Sequence, residues 1–286
     1  MKKTILSISA GLIVIGLILL GMKVWFSADL VFKRNAKRAA KEMTSVKKDK
    51  DEEPFKTYTF EEASKIYNTD QSMLLVNEDH PIDKDYPADI VEYKDTGVLM
   101  NSCIIDHYAE LSAAVSEKVG DKLYVMSSYR SYEDQERVYE EEGAEIAALP
   151  GTSEHQTGLA LDVYVSEFAG AGFIESEAGI FVNDHCYDYG FIIRYPYGAE
   201  DITGFSYEPW HIRYIGLPHS KIIEDSGCLF ENYKDLFEVG KYYEYYGYEI
   251  ARMPEDKIEI PSDADNVTLS KDGLGYVYVT IKTEAK

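Results

Sequence analysis

The chain has 286 residues, 45% of them hydrophobic, and a formal net charge of −22. That is enough for one good-sized domain with extras. The acidity is uneven: residues 1–50 hold 11 Lys and Arg against 3 Asp and Glu, leaving 18 basic and 48 acidic residues in the rest. A body this acidic argues against nucleic acid as a partner, because binding phosphate requires clustered Lys and Arg.

Lys2 and Lys3 precede an uncharged, mostly apolar run over residues 4–22. At ~1.5 Å rise per residue, a helix of that length spans a bilayer. The competing reading is a cleaved signal peptide, which needs small residues at a cleavage site. Ser27-Ala28 is the nearest offer and follows Phe26, so an uncleaved transmembrane anchor is favoured, with Trp25 and Phe26 at the interface. Basic residues flank the run on both sides, so charge does not orient it. Residues 29–53, rich in Ala, Lys and Arg, read as a juxtamembrane helix or stalk near anionic head groups, and Pro54 ends it. Residues 1–53 thus form the anchor and stalk.

Further on, 60–67 reads as a short helix and 74–77 as a strand, followed by a loop with His80 before a proline. Residues 103–119 carry apolar side chains at helical spacing, and Gly120 marks their end. A strand over 123–126 runs into Ser127-Ser128-Tyr129-Arg130-Ser131. Ser131 and Asp134 form a capping-box-like start for a helix over 132–142. Arg130 therefore stands at a strand-to-helix junction and Gln135 in the first helical turn. On residues alone, a surface ion pair is the better explanation of Arg130. Cys103, Cys186 and Cys228 are far apart and form no C-x-x-C pair; three buried thiols is the plain reading.

The stretch Ser153-Glu154-His155-Gln156-Thr157-Gly158-Leu159-Ala160-Leu161-Asp162 comes next. A strand over 159–165 would put Leu159, Leu161 and Val163 on one face, with Ala160, Asp162 and Tyr164 on the other. In an extended segment, Glu154 would face away from His155. A helix over 180–189 and a strand over 190–196 lead to Glu208-Pro209-Trp210-His211. A straight strand would turn Glu208 and His211 to opposite faces, so Pro209 must mark an irregularity if they share a site. Helices over 218–226 and 229–239 follow, with His219 expected at the surface. A small β extension then occupies 238–286, with Asp272-Gly273 as a hairpin turn. Its tyrosines at 242, 243, 245, 246 and 248 are expected to pack across the sheet.

His155, Asp162 and His211 are the donor set of a catalytic zinc site, with a fourth position open. Glu208, three residues before His211, is a carboxylate placed to act as general base. The two stretches closely resemble the SxHxxGxAxD and ExWH motifs of the VanY-type zinc carboxypeptidases, which trim D-alanine from peptidoglycan stem peptides. "LLVNEDHPI", "SSYRS" followed by Gln135, and "GFIIRYP" are similar to further stretches of that family, so the likeness covers about residues 74–237.

The resemblance implies an α+β fold, a small antiparallel sheet flanked by helices with zinc at its face, occupying a catalytic domain of residues 54–237. It also implies that Arg130 and Gln135 line the substrate pocket. Arg130 suits either the substrate's terminal carboxylate or the oxyanion of the intermediate, and the Ser153 hydroxyl could bond that carboxylate. The implied substrate is the peptidoglycan pentapeptide, whose D-Ala-D-Ala end vancomycin recognises, and the implied location is the outer face of the cell membrane. Relatives with these motifs include L,D-carboxypeptidases acting on tetrapeptides and D,D-dipeptidases. A wall-binding module with structural zinc would need a fourth protein ligand. A glycan hydrolase using paired carboxylates would leave both histidines unexplained.

Overall fold

The computed structural model describes residues 32, 34–39, 43–46, 54–143 and 147–283. The apolar run at 4–22 lies outside these residues; among those described, no helix is long and apolar enough to cross a membrane. In chain order the elements are β1 (Thr44–Val46), β2 (Phe55–Tyr58), α1 (Phe60–Ala63), β3 (Asn68–Asp70), β4 (Ile90–Glu92), β5 (Leu99–Asn101) and α2 (Ile105–Lys118). Then follow β6 (Tyr124–Ser127), α3 (Tyr132–Glu142), β7 (Ala160–Tyr164), α4 (Glu177–His185), β8 (Phe191–Ile193), α5 (Glu200–Thr203) and β9 (His211–Tyr214). Last come α6 (His219–Ser226), α7 (Phe230–Tyr233) and the strands β10 (Tyr242–Tyr245), β11 (Tyr248–Pro254), β12 (Ile258–Pro261), β13 (Val267–Lys271) and β14 (Tyr276–Lys282). The mixture of helices with small sheets is α+β, as expected.

The sheet β6-β7-β9-β8 is antiparallel throughout. Strand alternation sorts its residues into two faces. Leu161, Val163, Phe191, Ile193, Ile212 and Tyr214 join Tyr108, Leu111 and Val115 of α2 in one buried apolar cluster. The other face carries Asp162 and His211, which are direct cross-strand partners. The α3 start is as expected: the Ser131 hydroxyl accepts from the Asp134 amide at 3.1 Å.

The second sheet has the order β1-β10-β11-β14-β13-β3, and β2 pairs with β12 beside it. Its two faces feed different cores. Val277, Val279 and Ile281 point to a cluster with Ile258, Ile260 and Ala63, whereas Tyr278 and Ile250 face Phe230, Tyr233 and Phe237. The C-terminal strands therefore do not stand apart: β2 and β3, from the start of the expected 54–237 domain, pair with them, as does β1 from the expected stalk. Tyr242 and Tyr243 are buried and Tyr246 is exposed, so the tyrosines mostly pack.

Several expected elements differ. Residues 74–77 form no strand, because their polar groups are used elsewhere: the Leu75 amide donates to the Asp272 carbonyl, and the Leu74 carbonyl accepts from the Arg213 side chain. The helix expected over 60–67 stops at Ala63, and that over 229–239 stops at Tyr233, where a short 3-10 turn and an extended Phe237 follow. His219 is buried at 3% exposure, against the surface position expected. Cys103, Cys186 and Cys228 are unpaired thiols.

Candidate metal centre

Three short elements deliver the candidate metal ligands. Residues Glu154–Thr157 form a 3-10 turn, where an extended segment was expected, and Gly158 closes it in the left-handed conformation. A Cβ at Gly158 would lie 2.8 Å from the Asn101 amide nitrogen and also strike Ile90, so only glycine lets the turn seat against β5. The turn presents His155. β7 presents Asp162, at a bulge where β6 shifts register between Val125 and Ser127. β9 presents His211.

Glu208 reaches the same place because the chain turns before β9. The His211 amide donates to the Glu208 carbonyl at 3.2 Å, and the Glu208 amide donates to the Tyr195 carbonyl at 3.1 Å. This turn is the irregularity that the sequence required around Pro209.

One ligand atom from each of His155, Asp162 and His211 lies within 4.8 Å of the others. His155 Nδ1–H donates to the Ser128 carbonyl at 2.9 Å, which leaves Nε2 as the lone-pair nitrogen, 3.4 Å from Asp162 Oδ2. His211 uses its other nitrogen: Nδ1 lies 3.0 Å from Asp162 Oδ1 and 3.7 Å from Glu208 Oε2. Asp162 Oδ1 nevertheless makes no hydrogen bond, despite being buried. Side chains that crowd together with a buried oxygen unsatisfied are aimed at a common point, as metal ligands are.

The electrostatics agree. Burial alone would raise Asp162, but His155 and His211 hold it well below the usual carboxylate range. Burial alone would lower His211, but Asp162, Glu154 and Glu208 push it up to about 10. The carboxylates around His211 thus favour positive charge at this point, which a divalent cation would supply. Burial raises Glu208, as would suit a general base.

A cleft of about 520 Å³ opens over these residues, lined also by Arg130, Gln135, Ser153, Tyr195 and Trp210. Arg130 is anchored by its amide to the His155 carbonyl at 3.1 Å and by its guanidinium to Ser127 Oγ at 3.1 Å. Gln135 Nε2 donates to the Ala148 carbonyl at 2.7 Å, and its Oε1 is buried without a partner. Every residue expected in the site therefore lies in one cleft. Tyr195 was missed; its ring lies 4.8 Å from that of His211. Glu154, Arg194 and Arg213 were also missed as a group, although all three lie in the quoted motifs or beside them. Glu154 is not among the metal-facing residues, as expected, but it is fully buried behind His211.

A family model described as VanY, D-alanyl-D-alanine carboxypeptidase, matches residues 97–217. A D-alanyl-D-alanine carboxypeptidase of Enterococcus faecium is 30% identical over 235 residues, 73% of this chain and 75% of that protein. Among solved structures, the vancomycin-resistance D,D-dipeptidase VanXYg, in complex with a D-Ala-D-Ala phosphinate analogue, aligns with a TM-score of 0.67 at 28% identity, covering 80% of this chain and 98% of that one. A VanY D,D-pentapeptidase variant from a VanB-type resistance cassette, in complex with Zn(II), aligns with a TM-score of 0.51 at 32% identity, covering 57% and 98%. The chain belongs to the VanY family of D-alanyl-D-alanine carboxypeptidases.

Proposed function

We propose that the protein is a zinc-dependent D,D-carboxypeptidase that releases the C-terminal D-alanine from peptidoglycan pentapeptide stems. The observation that carries this reading is the convergence of His155 Nε2, His211 Nδ1 and the Asp162 carboxylate on one point, with Glu208 beside them and Arg130 lining the same cleft. The donor set fits zinc, and a zinc ion held there supplies Lewis acidity to the scissile carbonyl and to the attacking water.

The chain's own residues do the rest. Glu208 takes a proton from the attacking water and returns it to the leaving amine of D-alanine. Arg130, anchored at the mouth of α3, meets the negative charge of the substrate, either at its terminal carboxylate or at the developing oxyanion. Gln135 Oε1 and the Ser153 hydroxyl orient the terminal residue. A fixed carboxylate clamp makes the enzyme an exopeptidase. Trimming of this kind removes the D-Ala-D-Ala end that vancomycin recognises. The apolar run at 4–22 and its basic flanks support a single-pass anchor in the cell membrane; the stem-peptide substrate, not the charge pattern, favours a catalytic unit outside.

The test is D-alanine release by the full chain from pentapeptide and tetrapeptide precursors, with and without a chelator. Release from pentapeptide that stops on chelation is the expected result. Release from tetrapeptide alone would move the substrate to L,D, and no release from either, with zinc still bound, would overturn the reading.

A further inference from the structure

Behind His211, away from the cleft, lies a buried charged cluster that takes no part in the chemistry above. Glu154 is 1% exposed. Its Oε1 accepts from Arg194 Nε at 2.8 Å and from Arg213 Nη1 at 2.9 Å. Both guanidiniums are fixed in turn. Arg213 donates to the carbonyls of Ser72 (3.0 Å), Leu74 (2.8 Å) and Tyr214 (3.0 Å). Arg194 holds Glu231 with two bonds of 2.5 and 3.2 Å. The remaining oxygen, Glu154 Oε2, makes no hydrogen bond and faces His211 Nε2, itself without one, across 3.7 Å.

Two features make this arrangement specific. β9 alternation places Arg213 on the same face as His211, two residues away, so the clamp and the ligand are set by one strand. The clamp also occupies one carboxylate oxygen and leaves the other facing the imidazole. Burying so many charges is costly and adds little to stability compared with apolar packing, which directs attention to what the free oxygen does. Ligating histidines commonly donate their second ring N–H to a carboxylate or carbonyl. His155 does so to Ser128, through Nδ1. Among the described residues, Glu154 alone is placed to play that part for His211, through Nε2.

We propose that Glu154 is a positioning residue for His211: clamped by Arg194 and Arg213, its free oxygen is the acceptor for Nε2–H and so fixes the tautomer whose Nδ1 lone pair faces the metal. The two histidines then use opposite nitrogens, each held from behind by an acceptor. The inference rests on the zinc reading above. Glu154→Gln tests it sharply, because an amide cannot accept from the arginines and from His211 at once. If its oxygen stays with the arginines, its NH2 faces Nε2 and favours the wrong tautomer.

The experiment is competition of the full chain with a chelating indicator for zinc, comparing the wild type with E154Q and E154D. The wild type should bind one zinc, E154Q roughly 10–100-fold more weakly, and E154D should recover part of the loss. A folded E154Q that holds zinc as the wild type does would overturn the role of Glu154 while leaving the zinc reading intact. A wild type that binds no zinc would overturn both. Should E154Q fail to fold, the wild-type chain decides: loaded with cadmium-113 and carrying 15N-labelled histidine, it should show metal coupling to Nδ1 of His211 and to Nε2 of His155. Coupling to Nε2 of His211 would overturn the proposal.

Discussion

His211 and His219 are both buried imidazoles, eight residues apart, and they have opposite characters. His211 sits among Asp162, Glu154 and Glu208, which push it up to about 10, and its Nε2 has no hydrogen bond. His219 sits between two hydroxyls, with Nδ1 2.6 Å from Tyr233 Oη and Nε2 2.9 Å from Thr280 Oγ1, and burial pushes it down to about 3. Both of its nitrogens are satisfied. Burial alone therefore does not distinguish the two; the groups that face their nitrogens do.

That contrast can be broken at its strongest point first. Asp162→Asn should reduce D-alanine release to background and weaken zinc retention, measured by metal content after dialysis, because one of three ligands loses its charge. Glu208→Ala should lower kcat by about 10²–10⁴-fold with zinc still bound, which separates the base from the ligands. Arg130→Met should cost about 10²–10³-fold. A loss confined to KM would assign it to the terminal carboxylate, and a loss in kcat to the oxyanion.

The smallest effect on activity, and the sharpest on the comparison, belongs to His219→Gln. Its folded pKa of about 3 lies below the ordinary 6.5, so in that window the unfolded chain binds a proton that the folded chain does not. Its contribution to stability is full above pH 6.5 and falls as the pH drops towards 3, by about 1.4 kcal/mol per pH unit between those values. Denaturant melts across that range should show a shallower acid slope in H219Q, with activity near neutrality unchanged. Equal slopes would sink the assignment.

The ligand set was legible in the sequence because it sits in two compact motifs with fixed spacing. Two more features were legible as well: the cap at Ser131, and the β7 alternation that separates Leu161 and Val163 from Asp162. Glu154 was legible only as a non-ligand. Its partners Arg194 and Arg213 lie 40 and 59 residues away, and no local pattern links them. Residues 74–77 show the same limit: their apolar run fits a strand, but a side chain on β9 takes the carbonyl that a neighbouring strand would have used. His219 is buried rather than at the surface because its hydroxyl partners come from α7 and β14, 14 and 61 residues on, and no local pattern links them.

The pairing of early strands with late ones sets an order of assembly. Asp70 and Ser270 are 200 residues apart, and a ribosome adding about 5–20 residues per second takes on the order of tens of seconds to join them. The sheet that carries Asp162 and His211, with the turn that carries His155, lies wholly between Tyr124 and Tyr214, so it can close first. Through that interval β2 and β3 lack the partners they pair with in the folded chain, and unpaired strand segments of that kind are sites of aggregation. The second sheet, which needs strands from both ends of the described chain, can therefore be completed only after the last of them is made.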